Sequence, residues 1–261
     1  MKVTYKEPGF RHSVDSILLF QMDTAKPFWS DTLFYFYPQL SREKLSVCSP
    51  EEQVQYMTDN LSEVYRQLKP ELDEKAVKYN EYFMKYEHQI NDALSDAFDL
   101  DARNLFNDLT GFICLNPICP RFLRERYFDV FHKNSEKGAL GMSLHEIIHY
   151  FWFDVWNRLF HDSYDEYETP SLKWILSEMV VESIMADERL SSINPYFPRE
   201  HGGCVYGYFQ DMIISGQPVL DTLDQLYKGN RITDFMKKAY AFCQEHETDI
   251  RSHIAQAEQS F

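Results

Sequence analysis

Residues 142–160 read MSLHEIIHYFWFDVWNRLF, and the interpretation of the whole chain starts from this stretch. Its apolar side chains occupy nearly every face of an α-helix, so the segment predicts a helix that is buried almost all round. His145, Glu146 and His149 nevertheless stand in its middle. Polar groups buried without partners cost on the order of a few kcal/mol. We therefore expect a polar or charged partner at these three side chains.

A metal ion would be such a partner. His145 and His149 are four residues apart, so a helix projects both from one face, where they can bind the same ion. Glu146 lies about 100° further round, within reach of a water molecule on that ion. Zinc lowers the pKa of a bound water to about 7, and a neighbouring glutamate can take its proton. The spacing thus indicates a zinc site with its own general base.

A competing local interpretation needs no metal. Ser143 and Glu146 also fit the capping box S-x-x-E, in which the glutamate only folds back onto the start of the helix. The two histidines would then be ordinary core or edge residues. The helix could equally begin a turn earlier, near Ala139, which would leave no role for a cap at Ser143.

Zinc needs a third protein ligand. The extended pattern HExxHxxGxxH is absent, because Trp152 stands in place of its glycine and Val155 in place of its third histidine. A following helix, predicted over 170–191, carries Glu178 and Glu182 on one apolar face. Two like charges four residues apart destabilise a helix unless a positive group lies between them. Both glutamates are therefore candidates for the third ligand.

The HExxH motif followed by a helix with E-x-x-x-D/E resembles the gluzincin group of zinc metallopeptidases, which includes thermolysin-like enzymes and aminopeptidases. The resemblance covers residues 142–190. It implies a zinc ion bound by His145, His149 and Glu178. It also implies that Glu182 hydrogen-bonds the outer nitrogen of a zinc-binding histidine.

One departure from the group concerns the residue before the implied ligand. Ser177 stands where several of its families have asparagine. The particular family therefore stays open, and Glu182 stays the alternative zinc ligand.

The same resemblance implies a zinc-dependent peptidase that acts on peptides or proteins. Glu146 would deprotonate the water and later protonate the leaving amine. Such an enzyme also needs a donor for the tetrahedral oxyanion. The loop after the glutamate helix offers His201 and Tyr206 as candidates. In this group an edge strand before the metal helix pairs with the substrate, and residues 124–132 are the natural candidate by chain order.

The expected fold class is α+β and predominantly α-helical, with a zincin-like core and a small antiparallel sheet beside the HExxH helix. We expect strands over 111–115 and 124–132, and a short strand or core plug at 34–37. Ser49 predicts the cap of a helical region that reaches about Leu100, and its interruption near Pro70 suggests an antiparallel helix pair. The expected domains are residues 1–105, mostly helical, and 106–261, the catalytic region.

Composition excludes several classes of function. The chain has 261 residues, with 26 Lys and Arg against 41 Asp and Glu and a net charge of −15. Such a surface repels nucleic acid and anionic lipid. Five scattered cysteines are expected to be reduced, and no signal peptide or membrane span is recognised, so we expect a cytoplasmic protein.

Three hypotheses are compatible with these patterns. The first is a zinc metallopeptidase. The second is a non-catalytic zinc-binding protein that keeps the zincin fold to regulate or hold a partner. The third is a helical structural protein without a metal. Zinc content separates the third from the others, and replacement of Glu146 separates the first from the second.

Overall fold

A computed structural model describes the backbone of residues 1–21, 27–162, 167–168, 170–194, 199 and 202–259. Most of these residues are helical and a minority form a small sheet, which confirms the α+β class. The helices are α1 (Phe10–Gln21), α2 (Pro27–Phe36), α3 (Arg42–Val47), α4 (Pro50–Phe98), α5 (Glu136–Phe160), α6 (Leu172–Ala186), α7 (Glu188–Ser191), α8 (Gly207–Gln210), α9 (Val219–Tyr227), α10 (Ile232–Glu245) and α11 (Glu247–Gln259), with a 3₁₀ turn at Ala102–Asn104. The strands are β1 (Val3–Lys6), β2 (Leu109–Cys114), β3 (Arg121–Phe122), β4 (Tyr127–Phe131), β5 (Ile213–Ile214) and β6 (Gln217–Pro218).

Contacts between residues divide the chain into two compact units. The sheet unit contains Lys2–Lys85 and Asn107–Ser143, and the helical unit contains Tyr86–Phe106 and Leu144–Ser260. Both units therefore draw residues from either side of the boundary at 105/106 that the sequence predicts. Within the described part of the chain, no helix combines the length and the apolar character that crossing a membrane requires.

The main sheet has the strand order β1-β2-β4-β3. The pairs β1–β2 and β2–β4 are parallel, and only β3 runs antiparallel to β4. The predicted antiparallel pairing of 111–115 with 124–132 is therefore wrong. Parallel neighbours need a connection of about a dozen residues, and residues 115–126 supply one, whereas a hairpin needs only a tight turn.

The position of β4 also contradicts the expected edge strand at 124–132. β4 is bonded to β2 on one side and to β3 on the other, so its backbone groups are already used within the sheet. The edges of this sheet are β1 and β3.

A long helix replaces the predicted helix pair. α4 runs for 49 residues with Pro70 inside it, although proline costs about 3 kcal/mol in a helix interior. The buried stripe of this helix continues on both sides of Pro70, with Leu61 and Leu72 fully buried. Burial of that stripe offsets the lost hydrogen bond, which explains why the helix does not end there. The predicted cap is confirmed: Ser49 Oγ accepts from the Glu52 N–H at 3.3 Å, and the Glu52 carboxylate accepts from the Ser49 N–H at 2.7 Å.

The strand expected at 34–37 is also wrong, because residues 34–36 complete α2 and Tyr37 follows it. A run of four aromatic residues fits both the repeat of a helix and the repeat of a strand, so only its packing decides between the two structures. Tyr37 is buried and its hydroxyl donates to the Leu115 carbonyl at 2.9 Å.

Gly111 sits at the centre of the main sheet between two aromatic residues. Its register partners are Tyr5 on β1 and Phe128 on β4. A Cβ added at Gly111 would lie 2.7 Å from Cδ1 of Tyr5 and 3.2 Å from Cε2 of Phe128. The Tyr5 ring cannot move aside easily, because its hydroxyl donates to Ser143 Oγ at 2.7 Å.

We expect Gly111→Ala to lower the free energy of unfolding by about 1–3 kcal/mol, because the methyl group overpacks this part of the sheet. Urea unfolding followed by circular dichroism measures the change. Gly207→Ala is the matched control, since a Cβ there meets nothing within 4 Å. Equal stability of the two variants would contradict the close packing at Gly111.

His132 follows β4 with its side chain buried, and burial lowers its pKa from 6.5 to about 4. Glu71 acts in the opposite direction, and Lys75 and Lys133 reinforce the decrease. Its Nε2 lies 3.4 Å from the Tyr37 hydroxyl. The imidazole is therefore neutral in the folded protein at neutral pH.

As the pH falls from 6.5 to about 4, His132 becomes protonated in the unfolded chain but stays neutral in the folded protein. Stability contributed by this group is therefore complete above pH 6.5 and is lost on acidification, by up to about 3 kcal/mol. We expect His132→Gln to flatten the dependence of unfolding free energy on pH in this window, as measured by urea titrations. Parallel pH curves for the variant and the wild type would contradict this.

Candidate metal centre

α5 presents the HExxH residues from its interior. The helix begins at Glu136, where Ser135 Oγ accepts from the Gly138 N–H at 3.1 Å. Ser143 lies two turns further along, and its hydroxyl donates to the Ala139 carbonyl within the helix. A capping residue has to stand outside the helix that it caps, so the capping-box interpretation of Ser143 and Glu146 is wrong.

α6 supplies the two candidate glutamates. Ser171 caps this helix by accepting from the Trp174 N–H at 3.1 Å. The expected cap Thr169 lies outside the described residues. The helix ends at Ala186 rather than at 191, because Asp187 caps the separate short helix α7. Between these ends nearly every side chain is buried, Glu178 and Glu182 included.

Three of the predicted ligands converge at one point of the helical unit. Nε2 of His145 and Nε2 of His149 are 3.2 Å apart. The two carboxylate oxygens of Glu178 lie 3.6 Å from Nε2 of His145 and 3.5 Å from Nε2 of His149. Two successive helices thus bring two nitrogen donors and one oxygen donor together.

The two imidazole nitrogens are within hydrogen-bond distance of each other, whereas the two separations from Glu178 fit a metal ion better than direct hydrogen bonding. A hydrogen bond between nitrogen and oxygen needs about 2.7–3.2 Å, and both distances from Glu178 to the histidines exceed this range. Ligands at 2.0–2.2 Å from a tetrahedral zinc ion are separated from each other by roughly 3.3–3.6 Å. The donor set of two imidazoles and one carboxylate is also one that zinc favours.

Burial and charge agree with that fit. His149 is fully buried, and Glu146 and Glu178 are 5% and 3% exposed. The two carboxylates, when ionised, bring negative charge into this helix pair. A divalent cation would balance this charge, because buried ionic groups are stable only when compensated.

Glu146 offers a carboxylate oxygen within 4.8 Å of a donor nitrogen of each histidine, so the geometry also permits it as a ligand. Its Oε1 is 4.0 Å from Nε2 of His145. This distance is too long for a direct hydrogen bond between these two atoms. The side chain of His145 is 16% exposed, so the site meets solvent on the side of this histidine.

Glu182 takes part in an ion-pair network. Its Oε1 accepts from Nε and Nη2 of Arg199 at 2.8 and 2.5 Å, and Nη1 of Arg199 donates to Asp221 at 2.7 Å. These bonds, first among them the one to Glu182, raise the pKa of the Arg199 guanidinium. The predicted bond from Glu182 to a histidine stays a prediction. No sequence signal marks the Arg199 pairing, because the arginine comes from a loop of no recognisable pattern.

The two oxyanion candidates have different outcomes. His201 lies outside the described residues. Tyr206 precedes α8, and its ring stacks on Tyr208 at 5.3 Å and lies 6.0 Å from the ring of Trp174. Trp174 is one helical turn before Glu178 on α6, so Tyr206 packs against the helix that carries the predicted third ligand. Its catalytic role stays a prediction.

Comparison of the chain with models of protein families, with curated proteins and with solved structures gives no match. The interpretation of this centre therefore depends on its own donor chemistry and distances.

We expect Glu178→Gln to lose one equivalent of zinc relative to the wild type, because the amide is a much poorer zinc ligand than the carboxylate. Glu182→Gln should keep that equivalent, with its affinity lowered about 10–100-fold if Glu182 orients a histidine. Elemental analysis after dialysis against a weak chelator measures both. Glu245→Gln, an exposed glutamate on α10, is the matched control.

Two outcomes would change the assignment. Loss of this zinc only in Glu182→Gln would make Glu182 the third ligand. Full zinc retention in both variants would remove α6 from the metal centre altogether.

Proposed function

We propose that this protein is a zinc-dependent metallopeptidase of the gluzincin type that hydrolyses peptide bonds in peptides or proteins. One observation carries the proposal: Nε2 of His145, Nε2 of His149 and the Glu178 carboxylate lie 3.2–3.6 Å apart, with Glu146 beside them. A zincin-like core built on α5 and α6 is part of the same proposal.

Each of these residues has a distinct role. His145, His149 and Glu178 hold the ion, which when bound acidifies a water molecule and polarises the scissile carbonyl. Glu146 accepts the proton of that water at its carboxylate and returns it to the leaving amine. Its side chain is 5% exposed, so little bulk water competes for its carboxylate.

Substrate would approach from the side of His145, the one ligand whose side chain is open to solvent at 16%. His149 and Glu178 are buried, and their burial limits the loss of the ion to solvent.

Tyr206 and His201 remain the proposed oxyanion donors, Tyr206 through its position against α6. The net charge of −15 would favour basic substrates through an attraction that salt screens. We place the protein in the cytoplasm on the sequence alone.

The test replaces the general base and leaves the ligands in place. Glu146→Gln should lower peptide hydrolysis by at least about 100-fold while zinc content is unchanged, because the amide cannot take a proton. A library of unstructured peptides of varied sequence, incubated with zinc-loaded protein and then analysed by mass spectrometry, reports cleavage whatever the preferred substrate is. Glu245→Gln should cleave at the wild-type rate.

Two results would contradict the peptidase proposal. Cleavage by Glu146→Gln at the wild-type rate would place the general base elsewhere or reveal a contaminating enzyme. Zinc-loaded wild type that cleaves no library peptide would favour the non-catalytic zinc-binding protein.

A further inference from the structure

A second group of metal-binding side chains lies in the sheet unit, away from the HExxH residues in sequence. His12 comes from α1, Cys114 ends β2 and Asp129 lies on β4. One donor atom from each, a nitrogen, a sulfur and an oxygen, lies within 4.8 Å of the other two. No motif in the sequence marks this group, because about a hundred residues or more separate His12 from its partners.

Asp129 is the centre of the group and is fully buried. Its Oδ1 lies 2.7 Å from Nε2 of His12, and its Oδ2 accepts from Ser16 Oγ at 2.5 Å. The contact with His12 is a direct hydrogen bond, shorter than the roughly 3.3–3.6 Å between two ligands of a tetrahedral zinc ion, so a bound ion would replace this bond. His12 and Asp129 are within ion-pair distance, and the Cys114 thiol hydrogen-bonds the same carboxylate, so all three candidate ligands meet at Asp129.

An outer layer of hydrogen bonds holds the three side chains in place. The Asn116 side chain donates to Ser16 Oγ at 2.8 Å, and Ser16 in turn donates to Asp129. The Asn116 backbone N–H points at the sulfur of Cys114 at 3.4 Å. Partners of this kind fix the orientation of ligands in protein metal sites.

The alternative of a thiol nucleophile does not fit. Cys114 is fully buried, and burial, followed by the nearby Asp129 carboxylate, raises the pKa of its thiol well above the ordinary value. Reactive cysteines are partly exposed and have a lowered pKa. Within the group, only His12 connects to solvent, and its 20% exposed side chain packs against the rings of Phe112 and Tyr127.

We propose that His12, Cys114 and Asp129 form a second metal site, which binds Zn²⁺ and ties α1 to the central strands β2 and β4. Thiolate, imidazole and carboxylate together are the ligand types of zinc rather than of magnesium or calcium. Binding forms one metal–sulfur bond, and the thiol proton of Cys114 leaves to solvent. The ion would stabilise the sheet unit, because it binds the folded arrangement and the three ligands are far apart in the unfolded chain.

Cobalt(II) is the probe, because it replaces zinc and reports sulfur ligation by a thiolate-to-cobalt charge-transfer band in the near ultraviolet. The HExxH centre offers only nitrogen and oxygen donors and gives no such band. Titration of chelator-treated full-length protein with Co²⁺ should produce a band that is complete by two equivalents, because the HExxH centre also takes up cobalt, and Zn²⁺ should abolish it. His145→Ala/His149→Ala should keep the band, so the second site is tested separately from the proposed peptidase centre.

Variants then show which cysteine supplies the sulfur that binds cobalt. Cys114→Ser should lose the band, whereas Cys243→Ser, which changes another fully buried free cysteine, should keep it. His12→Asn keeps the fold more readily, because its side chain is partly exposed, and should weaken cobalt binding at least about tenfold. Absence of the band in folded wild type, or its persistence at full strength in His12→Asn and Cys114→Ser, would overturn the proposal.

Discussion

The convergence of two imidazole nitrogens and one carboxylate between α5 and α6 is the constraint on which the rest of the helical unit depends. Most side chains of α6 are buried, and His149 on α5 and Glu178 on α6 are buried as well. The distances of 3.5 and 3.6 Å from Glu178 are too long for good hydrogen bonds and suit a shared ion. A cation at that point would bond residues of both helices and so offset the cost of burying their polar groups.

The two buried glutamates of α6 have different partners. Glu178 faces the histidines, whereas Glu182, one turn later on the same helix, is engaged by Arg199. The arginine neutralises one of the two like charges on α6, which the sequence predicts to be unfavourable without a positive neighbour. Two positive centres, one an arginine and the other the proposed ion, would thus satisfy the two glutamates independently.

Sequence predicted the local features well and the long-range ones poorly. The helix around His145 and His149, the cap at Ser49 and the strand near Gly111 follow from periodicity and capping chemistry, which act over a few residues. The parallel pairing of β2 with β4 and the passage of α4 through Pro70 depend on packing against distant residues. The same holds for His12, Cys114 and Asp129, which no spacing in the sequence connects.

The pairing of β1 with β2 has a consequence for how the chain is made. Val3 on β1 pairs with Leu109 on β2, so the first strand leaves the ribosome about a hundred residues before its partner. During that interval its backbone groups have no sheet to join, and contacts of such large sequence separation form slowly. The sheet can therefore close at β1 only after β2 has been synthesised, so the longest-range pairing of the fold is also one that the growing chain completes late.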